Sequence, residues 1–206
     1  MKRYKRGNLY VISGPSGTGK GSICAGLTVR KNVVLSVSMT TRTPRVREAE
    51  GLSYYFVNKD IFKEAIDTDM LFEHAEVFGE YYGTPKAPVL ANLESGNDVI
   101  LEIEVKGAMQ IKESFPEAIL VFILPPSQAE LRRRIEGRGT ETPEKIDKRL
   151  ERVAMEIAEI NKYDYLVIND DLVSAIEDMF AIMEAEKLRV GDDIEKVIKD
   201  YQSNRY

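Results

Sequence analysis

The stretch GPSGTGKGS, Gly14 to Ser22, follows the apolar run LYVIS at 9–13. It nearly spells the phosphate-loop pattern G-x-x-x-x-G-K-[ST]. The glycines and Lys20 fall in place, but Gly21 stands where a hydroxyl is expected, and the hydroxyl comes one place late, at Ser22. An apolar strand, then the loop, then a helical pattern from about Lys20 is the context such a match requires. Glycines let successive N–H groups turn inward around phosphate oxygens, and the helix N-terminus adds partial positive charge. Residues 14–22 (Gly14, Pro15, Ser16, Gly17, Thr18, Gly19, Lys20, Gly21, Ser22) therefore read as a nucleotide-phosphate cradle, with Lys20 bridging the β- and γ-phosphates. The plain alternative is an ordinary glycine-rich turn. With Gly21 after the lysine, Mg²⁺ must lean on phosphates, waters and other groups. Ser22 can contribute as a phosphate contact or through water.

Working outward, three further apolar runs match LYVIS: VILEI at 99–103, AILVFIL at 118–124 and DYLVIN at 164–169, with VVLSVS at 33–38 a less apolar fifth. Rich in Val, Ile and Leu without alternation, they read as parallel strands covered on both faces. Leu150, Val153, Ala154, Ile157 and Ile160 recur at helical spacing, as do Ile176, Met179, Phe180 and Met183. These stripes predict helices packed on a sheet, hence an α/β fold with a five-stranded parallel sheet. Residues 39–97 differ: a polar Thr/Arg/Pro loop, several aromatics, and the short strands LSYYFV and LFEHAEVF suggest an inserted α+β lobe. Residues 127–155 form an arginine-rich helical unit, with Thr142 as N-cap and Pro143 at N1 of a helix. The core is then 1–38, 98–126 and 156–206. Ile194, Val197, Ile198 and Tyr201 predict a terminal helix that packs on the body or on another subunit.

Composition narrows the function. The 206 residues are 43% hydrophobic and 31% charged, with a formal net charge of −5. A whole-surface nucleic-acid binder would be basic, so no nucleic-acid partner is expected. Cys24 is the single cysteine, so no intramolecular disulfide forms, and a reducing cytoplasmic location is expected. The basic start MKRYKRG leads into only four apolar residues, too few for a signal peptide. No run approaches membrane-spanning length.

The loop SVSMTTRTPR at 36–45 sets Arg42 and Arg45 three apart, a spacing suited to a fork for a dianionic phosphate. The G-K-G-S loop resembles that of adenylate kinases and some other nucleoside monophosphate kinases. The chain as a whole closely resembles guanylate kinases. The matching pieces are GPSGTGKGS, SVSMTTRTPR, EGLSYYFV, EHAEVFGEYYGTP, VILEIEVKG, ILPPS, RRRIEGRGTET and INDD, in order across 9–171. The resemblance implies a P-loop nucleoside triphosphate hydrolase-like core, a GMP-binding lobe (39–97) and a lid (127–155), one unit over about 7–188. It implies ATP-dependent phosphorylation of GMP, and of dGMP, with Mg²⁺, by direct in-line transfer. Ser38, Arg42, Arg45 and Tyr54 would hold the GMP phosphate with help from Tyr82. Glu73, Thr84 and Glu104 would read guanine, Asn169 would sit near the ATP base, and Glu102 would lie near the metal. Lys20, Arg42, Arg134, Arg138 and Arg149 would carry the transfer, the last three from the lid.

The residue chemistry agrees. A carboxylate such as Glu73 accepts from guanine N1–H and the exocyclic amine, and the Thr84 hydroxyl can donate to O6. Phosphoryl transfer needs cations on the equatorial oxygens and little covalent help. The acceptor is already an anion, so no general base is required. Two positions depart from the family: Lys106 stands where glutamine is usual, and His74 where tryptophan is frequent. His74, the sole histidine, reads as a packing residue. Two other readings use part of this pattern. A P-loop kinase for another nucleotide or a sugar phosphate would share the G-K-G-S loop. A non-catalytic guanylate-kinase-like binding module would not need the intact loop and lid arginines. The protein is expected as a monomer or a homo-oligomer.

Overall fold

The computed structural model describes residues 6–77, 79–137, 143–191 and 194–203, with backbone only for 143–149 and 196. β1 (Leu9–Ser13) leads through the glycine loop into α1 (Lys20–Leu27) and β2 (Val33–Leu35). β3 (Met39–Thr40), β4 (Tyr55–Phe56), α2 (Lys59–Asp67), β5 (Leu71–Val77), β6 (Glu80–Pro85) and α3 (Lys86–Glu94) follow. The chain returns through β7 (Asp98–Glu102), α4 (Val105–Ser114) and β8 (Ile119–Leu124). It then forms α5 (Gln128–Glu136), α6 (Pro143–Ala158), a 3₁₀ turn (Ile160–Lys162), β9 (Tyr165–Ile168), α7 (Leu172–Leu188) and α8 (Ile194–Gln202).

The central sheet runs β2-β7-β1-β8-β9, parallel throughout, with β1 in the middle. All five residues of β1 are buried, and their alternation feeds two cores. Tyr10 and Ile12 face Ile23, Leu27, Met179 and Met183 on α1 and α7. Leu9 and Val11 face Val89, Leu93, Ala108 and Ile111 on α3 and α4. A strand buried on both faces needs apolar residues at successive positions, which is why these runs lack alternation. The C-terminal ends of β1 and β7 thereby bring the phosphate loop and Glu102 side by side.

A second sheet, β4-β3-β6-β5, is mixed and short-stranded. It packs Phe62 and Ala65 of α2 against Leu71 and Tyr81. In α2, the Asn58 side chain accepts the Ile61 N–H, capping the helix. α3 falls within 39–97, but its Val89 and Leu93 join the central-sheet core.

Several expectations are corrected. Strand β2 stops at Leu35, short of the expected 33–38; the Ser36 N–H still donates to the Ile100 carbonyl at 2.9 Å before the chain runs on to β3 at this exposed edge. β9 is an edge strand with one covered face, so Leu166 and Ile168 remain 50% and 44% exposed. Ala154 is exposed, and the α5–α6 core consists of Leu131, Ile135 and Val153 with Leu150 and Ile157. α6 begins at Pro143 as expected, while the Thr142 cap lies outside the described residues. The terminal helix forms, with Ile198 and Tyr201 exposed on the single chain.

Candidate active site

The phosphate loop spans from the end of β1 to the first turn of α1. Gly14, Gly17 and Gly19 hold φ of 136°, 92° and 89°, a region that disfavours side chains. At Gly19 a Cβ would also lie 2.3 Å from Asn169 Nδ2. That amide donates to the Thr18 carbonyl at 2.7 Å, and the residue is buried. Asn169, expected near the ATP base, thus braces the loop through its side-chain amide. The Thr18 hydroxyl donates to the Pro15 carbonyl at 3.0 Å. Lys20 Nζ donates to the carbonyls of Gly14 (2.6 Å) and Pro15 (2.9 Å). Burial lowers the Lys20 pKa, and the nearby Glu102 carboxylate works against that.

Ser16, Gly17, Gly19, Lys20, Gly21, Ser22 and Glu102 line one cavity. A Cβ on Gly21 would sit 3.5 Å from both Glu102 carboxylate oxygens. The bare glycine thus keeps open the space between loop and carboxylate where a hydroxyl would otherwise stand. Ser22 and Glu102 offer two hard oxygen donors, and among the described residues no group of three or more His, Cys, Asp or Glu could hold a metal ion. Two such oxygens fit Mg²⁺, which is held by one or two protein oxygens plus substrate phosphates and waters.

A second cavity adjoins the first and is walled by both sheets. Ser38, Tyr54, Glu73, Tyr82, Glu102 and Glu104 line it, so six of the expected residues meet here. Glu73 lies on β5 and is 6% exposed. Thr84 on β6 donates its hydroxyl proton to Glu73 Oε1 at 2.8 Å. Glu73 Oε2 lies so close to Gly107 that a Cβ there would approach it to 2.8 Å. Burial raises the Glu73 pKa to about 7, with the Thr84 hydroxyl bond pulling the other way. Thr84 itself is fully buried. Its hydroxyl hydrogen bond orients the Glu73 carboxylate.

The Arg42 side chain and the Arg45 backbone, not the two guanidinium groups, meet an internal anion. Glu48 accepts from Arg42 Nη2 at 2.9 Å and from the Arg45 backbone N–H at 2.8 Å. Arg42 also stacks over Tyr54, 5.5 Å from the ring centroid, and Tyr54 meets Tyr82 edge-on at 6.0 Å. Glu48 was not legible as a site residue, because a carboxylate in a polar loop carries no motif. Lys106 lines the Glu73 cavity. His74 is exposed rather than packed; its backbone N–H and carbonyl are bound by the Gln110 amide at 3.1 and 3.2 Å.

A third cavity joins the other two. It is lined by Gly14, Ser16, Lys20, Val77, Glu104, Arg152, Val153 and Glu156. Here α6 reaches the phosphate loop, and Arg152 and Glu156 are additions that sequence reasoning did not single out. Arg134 instead folds back on its own helix, donating to Glu130 at 2.7 Å. Arg149 belongs to α6, one turn before Arg152 and Val153, with its side chain outside the described set. Arg138 lies outside the described residues.

Against known proteins, the guanylate kinase family profile matches residues 6–186. The chain is 50% identical over 200 residues to the guanylate kinase of Caldanaerobacter subterraneus subsp. tengcongensis, covering 97% of each. It is 49% identical over 186 residues to the guanylate kinase of Thermus thermophilus, covering 90% of this chain and 84% of that one. The crystal structure of guanylate kinase from Anaplasma phagocytophilum superposes with a TM-score of 0.73 at 34% identity. That match covers 90% of this chain and 89% of the other.

Proposed function

The chain belongs to the guanylate kinase family, and from that premise we propose that Glu73 reads the guanine of the acceptor beside the phosphate loop. The enzyme is a nucleoside monophosphate kinase that transfers the γ-phosphate of ATP to GMP. One observation carries the site assignment: a buried carboxylate, fixed by Thr84 and seated against bare Gly107, faces a cavity next to the loop.

ATP phosphates enter the inward-turned amides of 14–22, and Lys20 exchanges its two loop carbonyls for phosphate oxygens. The acceptor phosphate displaces Glu48 from Arg42 and Arg45, with Ser38, Tyr54 and Tyr82 closing around it. Glu73 takes the guanine N1–H and amine, and Glu104 takes the amine from the other wall. The lid arginines Arg134, Arg138 and Arg149 bear on the transferring phosphoryl group once Arg134 leaves Glu130. Closure excludes water, which would otherwise consume ATP. Ser22 and Glu102 would hold Mg²⁺, through water, and the ion would neutralise charge on the nucleotide phosphates. The division into core (1–38, 98–126, 156–206), acceptor lobe (39–97) and lid (127–155) gives this closure its moving parts. The proposal extends to dGMP, which keeps the base and the phosphate that these residues would bind and differs from GMP only in lacking the 2′-hydroxyl. No helix among the described residues is long and apolar enough to cross a membrane, and the single buried thiol of Cys24 suits a reducing cytoplasm.

Two expected results test the base assignment. Glu73→Gln turns an acceptor into a donor facing guanine donors. It should lower kcat/KM for GMP about a hundredfold, the loss of a charge-assisted bond. A change under threefold would remove Glu73 from the base site. Independently, the ionised form is the one that accepts both donors, so with a pKa of about 7 kcat/KM for GMP should rise with pH through about 7 and level above it. The nucleotide phosphate's own ionisation near 6 gives a separate limb. Glu73→Gln should keep that limb and lose the one at 7; a profile unchanged by the substitution contradicts the assignment.

A further inference from the structure

Glu104 occupies the N-cap position of α4, yet its carboxylate makes no capping bond to that helix. It turns toward the lid helix α6, where Arg152 Nη2 donates to Glu104 Oε2 at 2.5 Å. The same guanidinium donates from Nε to Glu156 Oε1 at 3.0 Å, one turn further along α6. Arg152 is thus aimed by Glu156 and fixes one oxygen of Glu104, leaving Oε1 for other partners. Glu104 lines both the Glu73 cavity and the cavity over Gly14 and Lys20. Through this pair, the wall of the acceptor pocket is tied to a residue of the lid.

We propose that Arg152 is a positioning residue for base specificity: it holds Glu104 so that the free carboxylate oxygen meets the exocyclic amine of the acceptor purine, making recognition of that amine depend on the docked lid. A planar guanidinium holds such a bridge with two nitrogens in a fixed geometry, at less loss of freedom per bond than a flexible ammonium. This inference rests on the reading of Glu104 as part of the acceptor base site. Inosine monophosphate, which lacks only the 2-amino group, isolates that contact.

The test compares kcat/KM for GMP and for inosine monophosphate in the wild type, Glu104→Gln, Arg152→Ala and the double variant. Glu104→Gln is expected to lower the GMP/inosine monophosphate ratio about tenfold, the loss of one charge-assisted bond. Arg152→Ala is expected to lower it about fivefold, with the loss in KM for GMP. The double variant should match Glu104→Gln alone, because residues acting as a unit are not additive. If Glu104→Gln shifts the ratio and Arg152→Ala lowers both substrates equally, Arg152 serves the phosphates or the fold and the proposal fails. If Glu104→Gln leaves the ratio unchanged, the reading of Glu104 itself is wrong, and the proposal falls with it.

Discussion

Lys20→Met is expected to lower kcat about a thousandfold while changing KM for GMP less than threefold. The Lys20 ammonium is largely desolvated and held by the carbonyls of Gly14 and Pro15. It is held within the loop, so it has only to exchange those two carbonyls for phosphate oxygens. Removing one preorganised donor to transition-state charge costs about 10²–10³ in rate, and a charged donor belongs at the upper end. Methionine keeps the aliphatic stem, so packing around the loop is preserved. Steady-state kinetics with both substrates varied would check the split. A fall in kcat of less than tenfold would mean that the loop amides alone carry the phosphates.

Discrimination between acceptor bases should be larger still. Guanine presents two donors to the Glu73 carboxylate. Adenine would present its N1 acceptor and a carbon-bound hydrogen instead, leaving a buried carboxylate without donors. Sites built to bond a polar group reject an analogue lacking it by about 10⁴, because the unpaired group bears its full desolvation cost. The geometry leaves Glu73 little escape. Thr84 fixes one oxygen, and the other lies against the backbone at Gly107. With a pKa of about 7 the carboxylate can also protonate, which softens the rejection of adenine at acid pH. GMP over AMP should therefore be preferred by about 10⁴ in kcat/KM at pH 8 and by less at pH 6.

How much of this was readable beforehand follows from how local each signal is. The strands β1, β7 and β8 were legible because two-sided burial forces unbroken apolar runs. The loop was legible because its glycines and lysine keep fixed spacing on a strand–helix junction. The edge character of β9 was not, since DYLVIN is as apolar as an inner strand and only topology exposes Leu166 and Ile168. Glu73 and Thr84 are legible as site residues, but the hydrogen bond from the threonine hydroxyl to the glutamate is not, because it spans two strands. Glu48 and Glu156 escaped because a carboxylate in a polar loop or on a charged helix carries no motif, and Arg152 because its bond to Glu104 is long-range. Arg152 and Glu104 lie 48 residues apart, and the chain marks neither as the other's partner. His74 was expected to pack, yet it falls on the outward side of β5, where a strand alternates.

The most direct measurement of the central claim is ADP formation by the purified protein with ATP and Mg²⁺ and each nucleoside monophosphate in turn. The account predicts rapid turnover with GMP and, at pH 8, a kcat/KM for AMP lower by about 10⁴. Equal activity on AMP, or none on GMP, would contradict it.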